Sequence, residues 1–132
     1  EQIEKVYNLK GAKGAISIAY APEEKLLFVV SQSTDNLQIL DATDGKLKAD
    51  VKVGAGPLAV VWEPVRKLAY VANRGSDSVA VVDVNGNLVA NLPGGSYANH
   101  VFTDGKGTVW SVNKARGLND PQGDHISRYA AK

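Results

Sequence analysis

Short runs in which apolar residues dominate or alternate with polar ones recur along this chain, each closed by a cluster of turn-forming residues. Residues 15–20 (AISIAY), 26–31 (LLFVVS), 37–41 (LQILD) and 47–53 (LKADVKV) have the length and the β-branched content of strands. Between them lie Pro22 with Glu23, Glu24 and Lys25, the polar hinge 32–36, and the segment 42–46 (ATDGK) with its Asp-Gly turn signal. Connections this short return each strand antiparallel to the last, so the four runs predict one four-stranded meander.

The same order then repeats. The stretch 68–83, LAYVANRGSDSVAVVD, stands 42 residues after LLFVVSQSTDNLQILD at 26–41, and TVWSVNKARG at 108–117 begins a third copy 40 residues later. The second copy predicts strands at 58–62, 68–73, 79–83 and 88–92, with Asn85-Gly86 as its turn signal. The third predicts strands at 99–102, 108–113 and 126–130, with a longer loop at 114–125 and no fourth strand. One small sheet per period of about 40 to 50 residues is the signature of propeller blades. The expected fold class is therefore all-β, a β-propeller segment of about three four-stranded blades.

The segment 2–9 (QIEKVYNL) also alternates and reads as an isolated strand with no copy of its own. The chain divides accordingly into 1–14, the outer strand of a preceding blade and its crossing; 15–56 and 57–97, two blades; and 98–132, a last blade lacking its outer strand. Closed propellers hold about 4 to 8 blades. The expected partners are thus the remaining blades of a longer chain, of which this is a fragment, or a second copy of itself. In the latter case two chains form a six-bladed ring by lending each other that first strand.

Tyr20, Trp62 and Phe102 stand at intervals of 42 and 40, and Phe28, Tyr70 and Trp110 at the same two. This predicts two equivalent ring positions packed between neighbouring blades. Asp41 and Asp83 are expected to close strands by accepting hydrogen bonds from turn amides.

Composition narrows the chemistry. The chain has no cysteine, which removes disulfides, thiolate metal sites and cysteine nucleophiles, and no apolar run long enough to span a membrane. Lys and Arg number 15 against 14 Asp and Glu, so no overall charge draws it to nucleic acid or anionic lipid. The motif Gly54-Ala55-Gly56-Pro57-Leu58-Ala59 matches a dinucleotide fingerprint in spacing, but Val60-Val61-Trp62 and a Glu-Pro turn follow it. No helix amino terminus is available there to hold a pyrophosphate.

Tyr70-Val71-Ala72-Asn73, with Gly56-Pro57 before it and Ser78-Val79-Ala80-Val81-Val82-Asp83 after it, resembles the repeat of the YVTN β-propeller family; Ala72 stands where that tetrapeptide has Thr. The likeness covers nearly the whole chain and is strongest to the carboxy-terminal blades of YncE-like exported bacterial propellers. It is weakest at Phe28-Val29-Val30-Ser31 and Trp110-Ser111-Val112-Asn113. It implies a seven-bladed ring, a periplasmic or otherwise secreted location, and a non-enzymatic binding or scaffold role with no assigned ligand. No catalytic residue, metal ligand or cofactor carries over. The alternative is a lactonase- or hydrolase-like propeller enzyme whose catalytic residues lie outside this segment.

In a propeller the hinges between second and third strands share one face with the blade crossings, and functional residues favour such loops. Candidate ligand-binding residues there are Arg74, Tyr97, Asn99, Lys114, Arg116 and His125. Arg74, Lys114 and Arg116 beside Tyr97 suit an anion, or single-stranded nucleic acid stacked on the ring, which is the second alternative function. His100 and His125 are too few for a metal centre. Asp124 beside His125 makes a poor acid–base pair, because adjacent strand residues point to opposite faces. Asn73 and Asn113 are expected to bond the blade backbone. Gly117, Asn119, Asp120, Pro121 and Gly123 predict a mobile loop.

Overall fold

The structure, a computed structural model, describes residues 1–130. Among them eleven strands form three antiparallel sheets. The first holds β1 (Ala15–Ala21), β2 (Leu26–Ser31), β3 (Asn36–Asp41) and β4 (Leu47–Lys52); the second β5 (Pro57–Glu63), β6 (Leu68–Asn73), β7 (Ser78–Asp83) and β8 (Leu88–Pro93). The third holds β9 (Ala98–Thr103), β10 (Thr108–Asn113) and β11 (Ile126–Ala130). Each sheet is a meander, and one 3-10 turn, Arg74–Ser76, follows β6. Three such sheets packed in succession make a propeller segment.

Aspartates close the strands. Asp41 accepts the Thr43 amide at 2.7 Å, Asp83 those of Asn85 and Asn87 at 2.9 Å, and Asp104 those of Lys106 at 2.7 Å and Thr108 at 3.1 Å. These amides stabilise the ionised form and hold all three carboxyls below the ordinary aspartate value.

Two apolar layers join the sheets. Phe28, Val30, Leu37 and Ile39 of the first sheet meet Val60, Trp62, Val71 and Val82 of the second, and the Phe28 and Trp62 rings stack with centroids 5.1 Å apart. Tyr70, Ala72, Val79 and Val81 of the second sheet cluster with Val101 and Val109 of the third. Burying each of these larger side chains contributes about 1.5–3 kcal/mol, which locks neighbouring blades together.

A buried carboxylate adds a polar rivet at the rim. Glu63 is fully buried. It accepts the amides of Val65 at 3.1 Å and Arg66 at 2.8 Å in its own turn, and that of Gly107 at 3.0 Å in the next sheet. Arg66 stands beside it and donates through Nη2 to the Gly107 carbonyl at 2.8 Å.

Phe102 departs from the expected pattern. Trp62 pairs with Ala69 and Val61 with Tyr70 across their hairpin, whereas Phe102 pairs with Trp110. Phe102 therefore occupies the place of Val61, not that of Trp62. The cause is turn register: Glu63 pairs with Leu68, but Thr103 pairs with Val109, one residue further on. A one-residue slip turns every side chain of a strand to the opposite face. Phe102, 63% exposed, lies with Trp110 on the outer face of the third sheet, and Val101 points inward instead. Tyr20 keeps the position of Trp62 but, among the described residues, has no sheet in front of it and is 54% exposed.

Residues 2–9, expected as a strand, form none. Backbone groups in a strand are satisfied by a neighbouring strand, and among the described residues none pairs with this segment. Its side chains nevertheless follow the repeat. Tyr7 packs on Gly45, in the turn between β3 and β4, as Ala49 and Val51 pack on Gly86, in the turn between β7 and β8. Tyr7 precedes Ala49 by 42 residues, so the segment rests on the first sheet as β4 rests on the second. An apolar groove of about 390 Å³ opens between it and β1 and β2, lined by Tyr7, Leu9, Ile16, Ile18 and Val29.

Candidate functional site

The crossings between sheets place one aromatic side chain on the loop face. Gly14 and Gly56 lead into β1 and β5 with φ of 73° and 58°, and Tyr97 leads into β9 with φ of 50°. A left-handed backbone suits glycine and strains a residue with a Cβ by about 1 kcal/mol. The third copy thus carries tyrosine where the first two carry glycine. Its backbone is held by the preceding hinge: the Tyr97 amide donates to Asp77 at 2.9 Å, as the Gly56 amide donates to Asp35 at 2.9 Å. Asp35 and Asp77 are themselves left-handed, both at φ 54°.

Two guanidiniums converge on the Tyr97 ring. The Cζ atoms of Arg74, in the 3-10 turn, and Arg116, in the loop after β10, each lie 4.7 Å from its centroid. Arg116 Nη2 also donates to both Asp77 oxygens, at 2.6 and 2.5 Å. That bond, chiefly, raises its already high pKa further. The Arg74 side chain has no carboxylate within ion-pair distance among the described residues, and the same is true of Lys114.

The loop 114–125, expected to be mobile, is tied at many points. Asn113 donates to the Gln122 carbonyl and accepts the His125 amide at 2.6 Å, while Ser96 donates its amide to the Gln122 carbonyl at 3.0 Å. Asp120 accepts the amides of Arg116 and Gln122, each at 3.0 Å, and is held below the ordinary aspartate value chiefly by the first. Asp124 accepts that of Ala115 at 3.2 Å. These bonds replace the regular ladder that the loop's Gly, Pro and Asn residues cannot form.

The candidate residues are therefore divided. Arg74, Tyr97 and Arg116 meet in one cluster. Lys114 joins it through its backbone amide, which donates to the Ser96 and Tyr97 carbonyls at 3.1 and 3.2 Å. Asn99 is exposed on β9 outside the cluster, and the exposed His125 contributes only its backbone, to Asn113. The carboxylate of Asp124 is turned to Ala115 and not to the imidazole. Asn113 bonds backbone, as expected; Asn73 donates to Ser78 Oγ at 3.2 Å. Asp77 is the member that reading the sequence missed. Its spacing of 42 from Asp35 was the available signal, but only the fold shows that both carboxylates fasten the next crossing. Among the described residues no group of three or more His, Asp or Glu is placed to hold a metal ion.

No family model matches the chain, and no curated protein does. Among solved structures, 387 chains match. One is hydrazine synthase of Kuenenia stuttgartiensis, with a TM-score of 0.78 over 98% of this chain at 23% identity. This chain has the fold of a β-propeller segment. It spans 36% of that solved chain's length, and an identity this low carries the fold alone.

Proposed function

We propose that this chain is a non-enzymatic binding scaffold, part of a β-propeller of the YVTN-repeat, YncE-like type. The observation that supports this reading is how its polar side chains are used. Asp41, Asp83, Asp104 and Asp120 all bind backbone amides and are held ionised. Such groups exchange no proton near neutral pH, as general acid–base catalysis requires. Glu63 and Asn113 are likewise committed to backbone. On the loop face, by contrast, Arg74 and Lys114 remain available to a partner.

The outer sheets call for further blades. Ile16, Ile18 and Tyr20 on one end and Phe102, Val112 and Ile126 on the other are all substantially exposed, and apolar faces of this kind mark contact surfaces. The partner is the rest of a longer chain or a second copy, with residues 1–14 serving as outer strand and crossing of the preceding blade. The seating of Tyr7 on Gly45 supports that role. A periplasmic or secreted location rests on the family resemblance.

Light scattering followed by assay tests the reading. A mass of twice the 14.0 kDa chain identifies a self-completed ring, which is then screened for ligand-dependent thermal stabilisation and for ester and lactone hydrolysis. Stabilisation without turnover supports the scaffold. Turnover above the uncatalysed rate refutes it in favour of the lactonase- or hydrolase-like alternative. If the chain is a monomer, the same two assays apply to the ring completed by its missing blades.

A further inference from the structure

We infer that Arg74, Tyr97 and Arg116 form a binding site for a compact oxyanion, a carboxylate or phosphate, and that Asp77 occupies part of it in the unliganded protein. Four observations meet here. Tyr97 holds a left-handed backbone where both earlier crossings use glycine, and backbone strain of this kind concentrates at functional sites. Its ring gathers two guanidiniums to 4.7 Å each, and a cation placed over an aromatic face is held without losing its hydrogen-bond donors. Arg74 and Lys114 occupy equivalent hinge positions, 40 residues apart, and neither has a carboxylate partner among the described residues. Finally, Arg116 is already engaged by a carboxylate, through one nitrogen bonded to both Asp77 oxygens.

That last contact defines the ligand chemistry. A guanidinium nitrogen that grips a carboxylate from its own chain grips an exogenous one in the same way, and a phosphate oxygen accepts from it equally. The pair is accessible, with the Arg116 and Asp77 side chains 47% and 32% exposed, and exposed pairs are weakly held against water. An incoming oxyanion takes the free donors of Arg74 and competes with Asp77 for Arg116. Arg116 also lines a neighbouring cleft with Lys114, Asp120 and Asp124, whose carboxylates accept backbone amides. Arg74, Arg116 and Lys114 against Asp77, Asp120 and Asp124 sum to zero charge. The site therefore selects by contact and does not attract at long range. The inference rests on the scaffold reading in that the ligand is bound and not turned over.

The test is an NMR titration of the protein with citrate and, separately, inorganic phosphate at low salt, repeated on three variants. Asp77→Asn keeps an acceptor for the Tyr97 amide and a residue type that tolerates a left-handed backbone, but frees Arg116. It is expected to tighten binding by roughly tenfold. Tyr97→Gly restores the glycine of the other crossings, so the protein stays folded, and disperses the guanidiniums; binding weakens roughly tenfold. Arg74→Gln weakens it similarly. The stronger of the two probes assigns the ligand as carboxylate or phosphate. Unchanged or weaker binding in Asp77→Asn overturns the inference, as do shifts that leave the Tyr97 amide unmoved, or binding by a single-stranded oligonucleotide but by neither small anion. Hydrolytic turnover refutes the scaffold while leaving this site standing; absent oxyanion binding does the reverse.

Discussion

Replacing Glu63 isolates what joins the second and third sheets. Its carboxylate, fully buried, accepts three amides at 2.8 to 3.1 Å, one of them from Gly107 across the sheet boundary. Arg66 Nε is 3.7 Å away, an ion-pair distance too long for a hydrogen bond. The amides, not the cation, thus hold the carboxylate. Glu63→Ala strands three donors, each costing about 1–3 kcal/mol when desolvated. Water enters beside Arg66, whose side chain is 24% exposed, and reduces that sum to about 3–5 kcal/mol. Glu63→Gln keeps one acceptor oxygen but turns an NH₂ toward an N–H, and is expected to cost about 2–3 kcal/mol. Arg66→Met leaves all three amides bonded and costs about 1–2 kcal/mol. Urea unfolding followed by tryptophan fluorescence, at one low protein concentration, measures the series. The reasoning is refuted if Arg66→Met costs as much as Glu63→Ala, or if Glu63→Ala costs under about 1 kcal/mol.

Four further outcomes are expected. Phe28→Ala empties the stack on Trp62 and costs about 3–5 kcal/mol, with a red shift in tryptophan emission; Phe102→Ser, on an open face, leaves the unfolding midpoint nearly unchanged but reduces self-association seen by light scattering. Asp41, Asp83, Asp104 and Asp120 have depressed folded-state pKa values, so their stabilisation is complete above the unfolded value of 3.8 and is lost as pH falls through the folded values. Thermal midpoints are expected to be flat from neutrality to about pH 5 and to fall below pH 4, with Asp83→Asn flattening the acid limb; a decline beginning above pH 6 contradicts this. Tyr7→Ala removes the ring seated on Gly45, and limited proteolysis at Lys5 and Lys10 is expected to accelerate while the three sheets stay protected.

The sequence by itself determined the strands, the turns and their repetition, because those depend on neighbours a few residues apart. Apolar runs at Leu26–Ser31 and Leu68–Asn73, Asp-Gly and Asn-Gly at the turns, and Asp41 and Asp83 at the strand ends each act within one hairpin. From these followed an all-β blade array and the equivalence of Phe28 with Tyr70. Tertiary structure alone decided which face a residue presents. Phe102 looked like a copy of Trp62 by spacing, and one residue of turn register reversed it. Residues 2–9 carry a strand's pattern, yet a pattern forms a strand only beside a partner. Glu63 and Asp77 make their decisive bonds 44 and 20 residues away, to Gly107 and Tyr97. Loop geometry, not local propensity, brings those partners within reach.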